Sequence, residues 1–129
     1  MEKEFVSFDL ARKLKKKGFK SQCFARYSNG VLLYNTGTFT NFFNGLDGDS
    51  KVDAPLISQV LWWLRNEKHL DVSVVGFWYF PSKDVREFKY RFDVSNTLSP
   101  GHSIRKIDMY DSYEEAALEG IEFTIGTLM

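Results

Sequence analysis

The segment from Ala54 to His69, APLISQVLWWLRNEKH, constrains the fold most strongly, because its apolar residues have the spacing of a helix. At about 100° per residue, four aliphatic side chains fall on one face of this helix. They are Ile57, Val60, Leu61 and Leu64. Pro55 suits the first helical position, where the N–H that proline lacks has no helical acceptor. The segment therefore predicts a helix whose apolar face packs on a core built by other elements.

Trp62 points away from that face, among polar side chains of the same helix. These are Ser58, Arg65, Asn66 and His69. An indole in this position leaves apolar surface in water unless another element or another protein covers it.

Two explanations for Trp62 stay open. In the first, the polar loop 37–53 folds over the indole, and Phe42 or Phe43 contacts it. In the second, Trp62 anchors a protein partner, because Trp beside Arg is typical of interface hot spots. The candidate interaction residues are therefore Trp62, Arg65, His69, Phe42 and Phe43.

The first helix is predicted between Ser7, a favourable N-cap, and Gly18, which suits the left-handed C′ position. Leu14 and Phe19 then occupy the two positions that touch in a Schellman ending. Basic residues near this end form a candidate phosphate-binding face: Lys13, Lys16 and Lys17. A solvated helix face is the favoured interpretation, because 17 basic and 17 acidic residues leave no net charge to attract nucleic acid.

A hairpin is predicted after this helix. Strands 22–28 and 31–36 flank Asn29-Gly30, a dipeptide that suits both positions of a two-residue turn. The turn places Cys23 on the inward face, so we expect this thiol to be a core residue.

The second half of the chain repeats the helix-then-hairpin order. Residues 71–80 are predicted as a central strand covered on both faces, and 87–94 as an amphipathic strand, with a turn at 81–84. A short edge strand at 104–109 follows, and the last helix begins with the capping box SYEE at Ser112.

The predicted order is α-β-β-α-β-β-(β)-α. Hairpins and segregated helices favour the α+β class, with an antiparallel sheet and helices packed mainly on one face. The 129 residues fit a single domain, 1–129, and the 43% of hydrophobic residues are enough for an ordered core.

Motifs for catalysis or metal binding are absent from the sequence. It contains no Gly-rich phosphate motif, no H-E-x-x-H and no C-x-x-C. Asp47, Asp49 and Asp53 have the spacing of calcium ligands, but Lys51 occupies a ligand position and the terminal Glu is missing, so a solvated loop is expected. Nothing in the sequence pairs His69 with His102. We therefore expect no catalytic residue, no metal and no cofactor; a small hydrolase or metal-dependent enzyme is a third possibility.

Cysteine content and hydropathy predict a cytoplasmic protein. A single cysteine suits a reducing compartment, and no apolar run approaches the roughly 20 residues that cross a bilayer. The amino-terminal 20 residues are mainly basic, whereas from Asp108 onward every charged side chain is acidic. The two ends could attract each other within one fold or between two copies.

Three stretches resemble a family of small uncharacterised proteins from gut bacteria and their phages or mobile elements. They are FVSFDLARKLKKKGF, APLISQVLWWLRNEKHLDVSV and YDSYEEAALEGIEFTI. This chain departs from the family pattern at Asn66, which precedes Glu67. The resemblance implies a fold and an origin in a phage or mobile element, but no activity.

The function expected from the sequence is that of a non-enzymatic protein-interaction module, which binds an unknown protein or a second copy of itself. Association with nucleic acid through the first helix is the alternative.

Overall fold

The computed structural model describes residues 2–20, 23–34, 51–99, 101 and 103–129. Its contacts divide the chain into two compact units, Met1–Val60 and Leu61–Met129. The described elements are α-helices and antiparallel strands, as the α+β prediction requires, and the strands form two three-stranded sheets. Among these elements no helix is long and apolar enough to cross a membrane. The assignment of 1–129 to a single domain stays a prediction.

The first unit begins with a short 3₁₀ helix, Glu2–Glu4, and the helix α1, Phe8–Lys16. The Ser7 hydroxyl accepts a hydrogen bond from the Leu10 N–H at 3.2 Å, so Ser7 is the N-cap. The Phe19 N–H donates to the Leu14 carbonyl at 3.0 Å, and Gly18 has a φ of 94°. This is the predicted Schellman ending.

Strands β1, Ala25–Ser28, and β2, Val31–Tyr34, form the predicted hairpin. Asn29 and Gly30 have φ values of 51° and 81°, as a type I′ turn requires. In the resulting register, Tyr27 faces Leu32. Cys23 is fully buried, which confirms its predicted core position.

A third strand, β3, spans Lys51–Ala54 and pairs with the other edge of β1. The prediction of a solvated loop through residue 53 was wrong at this end, because Asp53 lies in β3 and is buried. In the register, Arg26 of β1 faces Asp53. Four residues of mixed polarity carry no strand pattern of their own, so this strand depends on its pairing with β1.

The helix α2 spans Ile57–Glu67 and therefore begins later than predicted. Pro55 is not helical, and its carbonyl accepts the Val6 N–H at 3.1 Å. The side chain of Gln59 accepts the Leu56 N–H at 2.9 Å and so caps the helix. The apolar face is buried as predicted at Ile57, Val60 and Leu64, and Trp63 is buried beside it.

The second unit contains β4, Leu70–Ser82, β5, Val85–Asn96, and β6, Ser103–Arg105, in the order β4-β5-β6. The prediction that segment 71–80 is a central strand was wrong. Among the described strands β5 is central and β4 is an edge. Much of β4 is also exposed, so its two faces are not both covered.

The turn between β4 and β5 is shorter than predicted. Ser82 pairs with Val85, so only Lys83 and Asp84 lie in the turn, and Pro81 belongs to the strand. The register shifts by one residue between Tyr79 and Ser82. Pro81 fits this bulge, because a proline has no N–H to contribute to the ladder.

The helix α3, Tyr113–Phe123, begins at Ser112, whose hydroxyl accepts the Glu115 N–H at 3.1 Å. It packs on one face of the second sheet, and Gly120 allows the close approach. A Cβ at Gly120 would lie 2.7 Å from Val72 Cγ1 and 3.1 Å from Phe92 Cγ. A π-helical turn, Thr124–Leu128, follows.

Candidate interaction surface

The hairpin of β4 and β5 extends beyond the part of the sheet that α3 covers. Near α3, Val72 is 6% exposed and Phe92 is 1% exposed. Toward the turn, Phe88 is 45% exposed, Trp78 is 56% exposed and Phe80 is 62% exposed. We call residues 77–89 the hairpin tip.

A row of aromatic rings runs along the hairpin on the face that carries α3. The Trp78 and Phe88 ring centroids are 5.0 Å apart, and those of Phe88 and Tyr90 are 5.4 Å apart. Tyr90 in turn contacts Tyr113 of α3, with 6.5 Å between ring centroids. All three contacts are edge-to-face, a favourable geometry for aromatic pairs. The exposed rings are therefore held in place by a chain of contacts that begins at the helix.

Gly76 makes this row continuous. It has no side chain, and the ring of Phe88 fills the space above it, with 2.6 Å between Phe88 Cζ and the position of a Cβ at Gly76. The register pairs Gly76 with Tyr90 and Trp78 with Phe88, so the glycine lies between the covered and the exposed part of the sheet face.

Arg86 lies on the face of the hairpin that carries the row of aromatic rings, which we call the aromatic face. Its guanidinium carbon lies 5.4 Å from the ring centroid of Trp78, within the range of a cation–π contact. Residues 86 and 88 share one face of β5, whereas 89 and 91 lie on the other.

The basic side chains of the opposite face lie beside carboxylates. Lys89 forms ion pairs with Glu87, at 3.1 Å, and with Asp111, and the hydrogen bond to Asp111 is the main reason that the pKa of Lys89 is raised. Arg91 lies 3.6 Å from a carboxylate oxygen of Asp93. This face therefore does not present a surface of uncompensated positive charge.

Trp62 is exposed on the polar face of α2, as its helical position predicts. Its side chain is 52% exposed, and Arg65, Asn66 and His69 around it are exposed too. Asn66 donates a hydrogen bond to the Trp62 carbonyl, and Arg65 lies 3.8 Å from Asp71. Phe42 and Phe43, the predicted lid, lie outside the described residues.

His69 does not lie in the last turn of the helix, where it was expected. The helix ends at Glu67, and His69 has a φ of 59°. Its carbonyl accepts a hydrogen bond from the Thr97 N–H at 2.9 Å. The left-handed backbone at His69 lets the chain turn directly from α2 into β4.

The predicted phosphate-binding residues Lys13, Lys16 and Lys17 are exposed at the C-terminal end of α1. The neighbouring Arg12 is half-buried, and its guanidinium carbon lies 5.6 Å from the centre of the Phe8 ring. Nucleic-acid binding through this face stays a prediction.

Cys23 and Asp53 are buried side chains of the first unit. Burial raises the pKa of the Cys23 thiol, and the negative charge of Asp53 raises it further. Since the thiolate is the nucleophilic form, this environment disfavours nucleophilic chemistry at Cys23.

A cavity of about 430 Å³ opens beside β5 and β6. Its described lining is largely apolar, with Val94, Ile104 and Leu128 among the residues that contribute. No His or Asp is among these described lining residues. Elsewhere in the described part of the chain, no three His, Cys, Asp or Glu side chains come close enough to hold a metal ion. Asp47, Asp49 and His102 lie outside the described residues.

Comparison with known proteins found no matching family model, no matching curated protein and no matching solved structure. The resemblance to the small proteins of gut bacteria and their mobile elements therefore stays a prediction.

Proposed function

We propose that this chain is a non-enzymatic protein-interaction module and that the hairpin tip is its main contact surface. The observation that carries the proposal is the exposure of large apolar side chains on a regular, well-paired hairpin. They are Trp78, Tyr79, Phe80, Val85 and Phe88. The origin in a phage or mobile element belongs to the same proposal, supported by the three similar stretches alone.

The size of this apolar surface favours a role in binding. A large aromatic side chain has about 200 Å² of surface to bury, so the exposed fractions of Trp78, Phe80 and Phe88 amount to roughly 300 Å². Apolar patches of this size on a soluble protein are often functional. Covering each ring contributes about 1.5–3 kcal/mol when burial is complete, so the free energy available for binding is substantial.

The composition of the tip also fits a protein partner. Trp, Tyr and Arg are the residues most enriched in binding hot spots, and Arg86 lies against Trp78. Trp62 is a smaller surface, because its indole stands alone among polar side chains on its helix face. Isolated exposed apolar residues are common, so we assign Trp62, Arg65 and His69 a secondary contact.

Photo-crosslinking from within the hairpin tip tests the proposal. p-Benzoylphenylalanine replaces Phe80, the most exposed of these aromatic residues, and the matched control carries it at Lys20, which is exposed in the first unit. Irradiation in cells is expected to give adducts with a polypeptide from position 80 and none from position 20. If position 80 gives no adduct, or both positions give the same adducts, the proposal is wrong.

The nucleic-acid alternative depends on the exposed lysines of α1. Fluorescence polarisation with a labelled single-stranded oligonucleotide at low ionic strength measures it directly. Binding that weakens with salt and disappears in the Lys13→Glu, Lys16→Glu, Lys17→Glu triple variant would support the alternative. We expect no such salt-sensitive binding.

A further inference from the structure

The helix α3 covers only one part of the aromatic face, and the part near the turn has no second layer packed on it. At one end of the hairpin, α3 packs on the sheet through Gly120, close to Val72 and Phe92. At the other end the same face continues through Phe88 to Trp78, which are exposed, and among the described residues of the second unit no helix or strand packs on it. A further element laid on this end would continue the layer that α3 begins.

The charges around the turn include both signs, which suits an identical partner. Of the five charged residues of the tip, Lys89 and Glu87 form an ion pair with each other, and Lys83, Asp84 and Arg86 lie around the turn. Within the described residues, Asp84 and Arg86 form no ion pair. In an interface with two-fold symmetry, the same surface of each copy meets the other, so Arg86 of one copy can pair with Asp84 of the other, whereas a tip with charges of one sign would repel itself.

We propose that the occupant of this surface is the hairpin tip of a second copy of this chain, packed face to face. Trp78 and Phe88 of the two copies interdigitate, and Arg86 of each copy lies opposite Asp84 of the other. This inference rests on the proposed function, for which it names the partner. The tip of each copy then covers the exposed part of its partner's sheet, as α3 covers the other end of the same sheet face.

The available area sets the strength of this association. The three aromatic rings offer roughly 300 Å², which is about half of what each partner contributes to a small specific interface of some 1,200 Å² in total. The turn and the neighbouring polar side chains supply the remainder. The structure therefore fits a reversible dimer and not a permanent one.

Sedimentation equilibrium of the purified full chain tests the inference. The monomer has a mass of 15.0 kDa, and we expect twice this mass as the concentration rises from about 1 µM to about 1 mM, where weak specific complexes form. Trp78→Ser and Phe80→Ser are each expected to raise the dissociation constant at least about tenfold. Ile107→Ser is the control, because it removes a more exposed apolar side chain outside the tip, and it should leave the dimer unchanged.

Charge variants test the same contact without removing apolar surface. Arg86→Asp is expected to weaken the dimer, and the double variant Arg86→Asp, Asp84→Arg is expected to restore it at least in part. Circular dichroism confirms that each variant is folded.

Three results would overturn the inference: a monomer at all concentrations, a dimer that survives Trp78→Ser and Phe80→Ser, or a dimer that Ile107→Ser abolishes. If the chain is monomeric while Phe80 crosslinks to a different protein, the proposed function stands and the second copy is excluded. If it is monomeric and position 80 gives no adduct, both proposals fail.

Discussion

The ring of Phe88 lies directly over Gly76, in the space where any other residue would carry its side chain. The contact joins the two strands of the hairpin across the aromatic face, and it sets the height at which Phe88 presents its exposed edge. A substitution at Gly76 therefore acts first on the surface of the tip, because Phe88 can swing outward into solvent.

We expect Gly76→Ala to displace the Phe88 ring at a small cost in stability, about 1 kcal/mol or less, because the clashing atoms belong to the end of a half-exposed side chain. Self-association should fall more than stability does. Thermal unfolding and sedimentation of the same variant separate the two effects. A dimer of unchanged affinity would show that the position of Phe88 does not matter for binding.

Gly120→Ala is expected to reduce the stability of the fold more than it reduces self-association. The added Cβ meets Val72 Cγ1 at 2.7 Å and the Phe92 ring at 3.1 Å, and both side chains are buried. Overpacking of this kind costs about 1–3 kcal/mol, since α3 must move away from the sheet. Urea unfolding measures the loss. Gly126→Ala is the control, because no atom lies within 4 Å of a Cβ at that position.

Gly18→Ala is expected to destabilise the end of α1 for a different reason. No atom lies within 4 Å of a Cβ there, so the cost comes from the backbone, which has a φ of 94°. A left-handed conformation costs a non-glycine residue about 1–2 kcal/mol. Asn tolerates this region better, so Gly18→Asn should recover part of the loss in chemical denaturation. Equal losses for Ala and Asn would contradict this explanation.

The buried thiol gives a dependence of stability on pH. Burial raises the pKa of Cys23 in the folded state, so the unfolded chain ionises first as the pH rises above the ordinary thiol value of about 8.5. The stability contributed by the neutral thiol is therefore complete below that pH and is lost above it. The loss approaches about 1.4 kcal/mol for each pH unit between roughly pH 9 and pH 10.

The variant Cys23→Ala removes this titration. Its free energy of unfolding should fall less steeply than that of the wild type over the same range. Parallel pH profiles would show that Cys23 does not titrate differently in the two states.

Local signals predicted the ends of α1 and the first hairpin. Ser7, Gly18 and Asn29-Gly30 act through their own backbone and their nearest neighbours, so the sequence contains all that is needed to place them. The exposure of Trp62 was equally predictable, because it follows from helical periodicity alone.

Features that depend on strand pairing were not predictable in the same way. Asp53 is buried because β3 pairs with β1, and no pattern in its four residues indicates a partner. The aromatic alternation of β4 suggested a covered central strand, yet it also fits an exposed binding surface.

Element lengths could have revealed the hairpin tip. An 11-residue helix such as α3 spans about 16 Å. A strand of 13 residues such as β4 spans about 43 Å. The helix can cover less than half of the strand, so part of the aromatic face had to remain outside its reach.

The bulge at Pro81 affects whether further strands can add to the edge of β4. A long edge strand invites further strands to add one after another, which leads to fibres. At the turn end of β4, the register shift after Tyr79 breaks the even spacing of the ladder, and Pro81 lies within this bulge. Growth by strand addition is therefore blocked at the end where the aromatic rings are exposed. The proposed dimer is therefore closed at this end of the sheet, where no further strand can extend it.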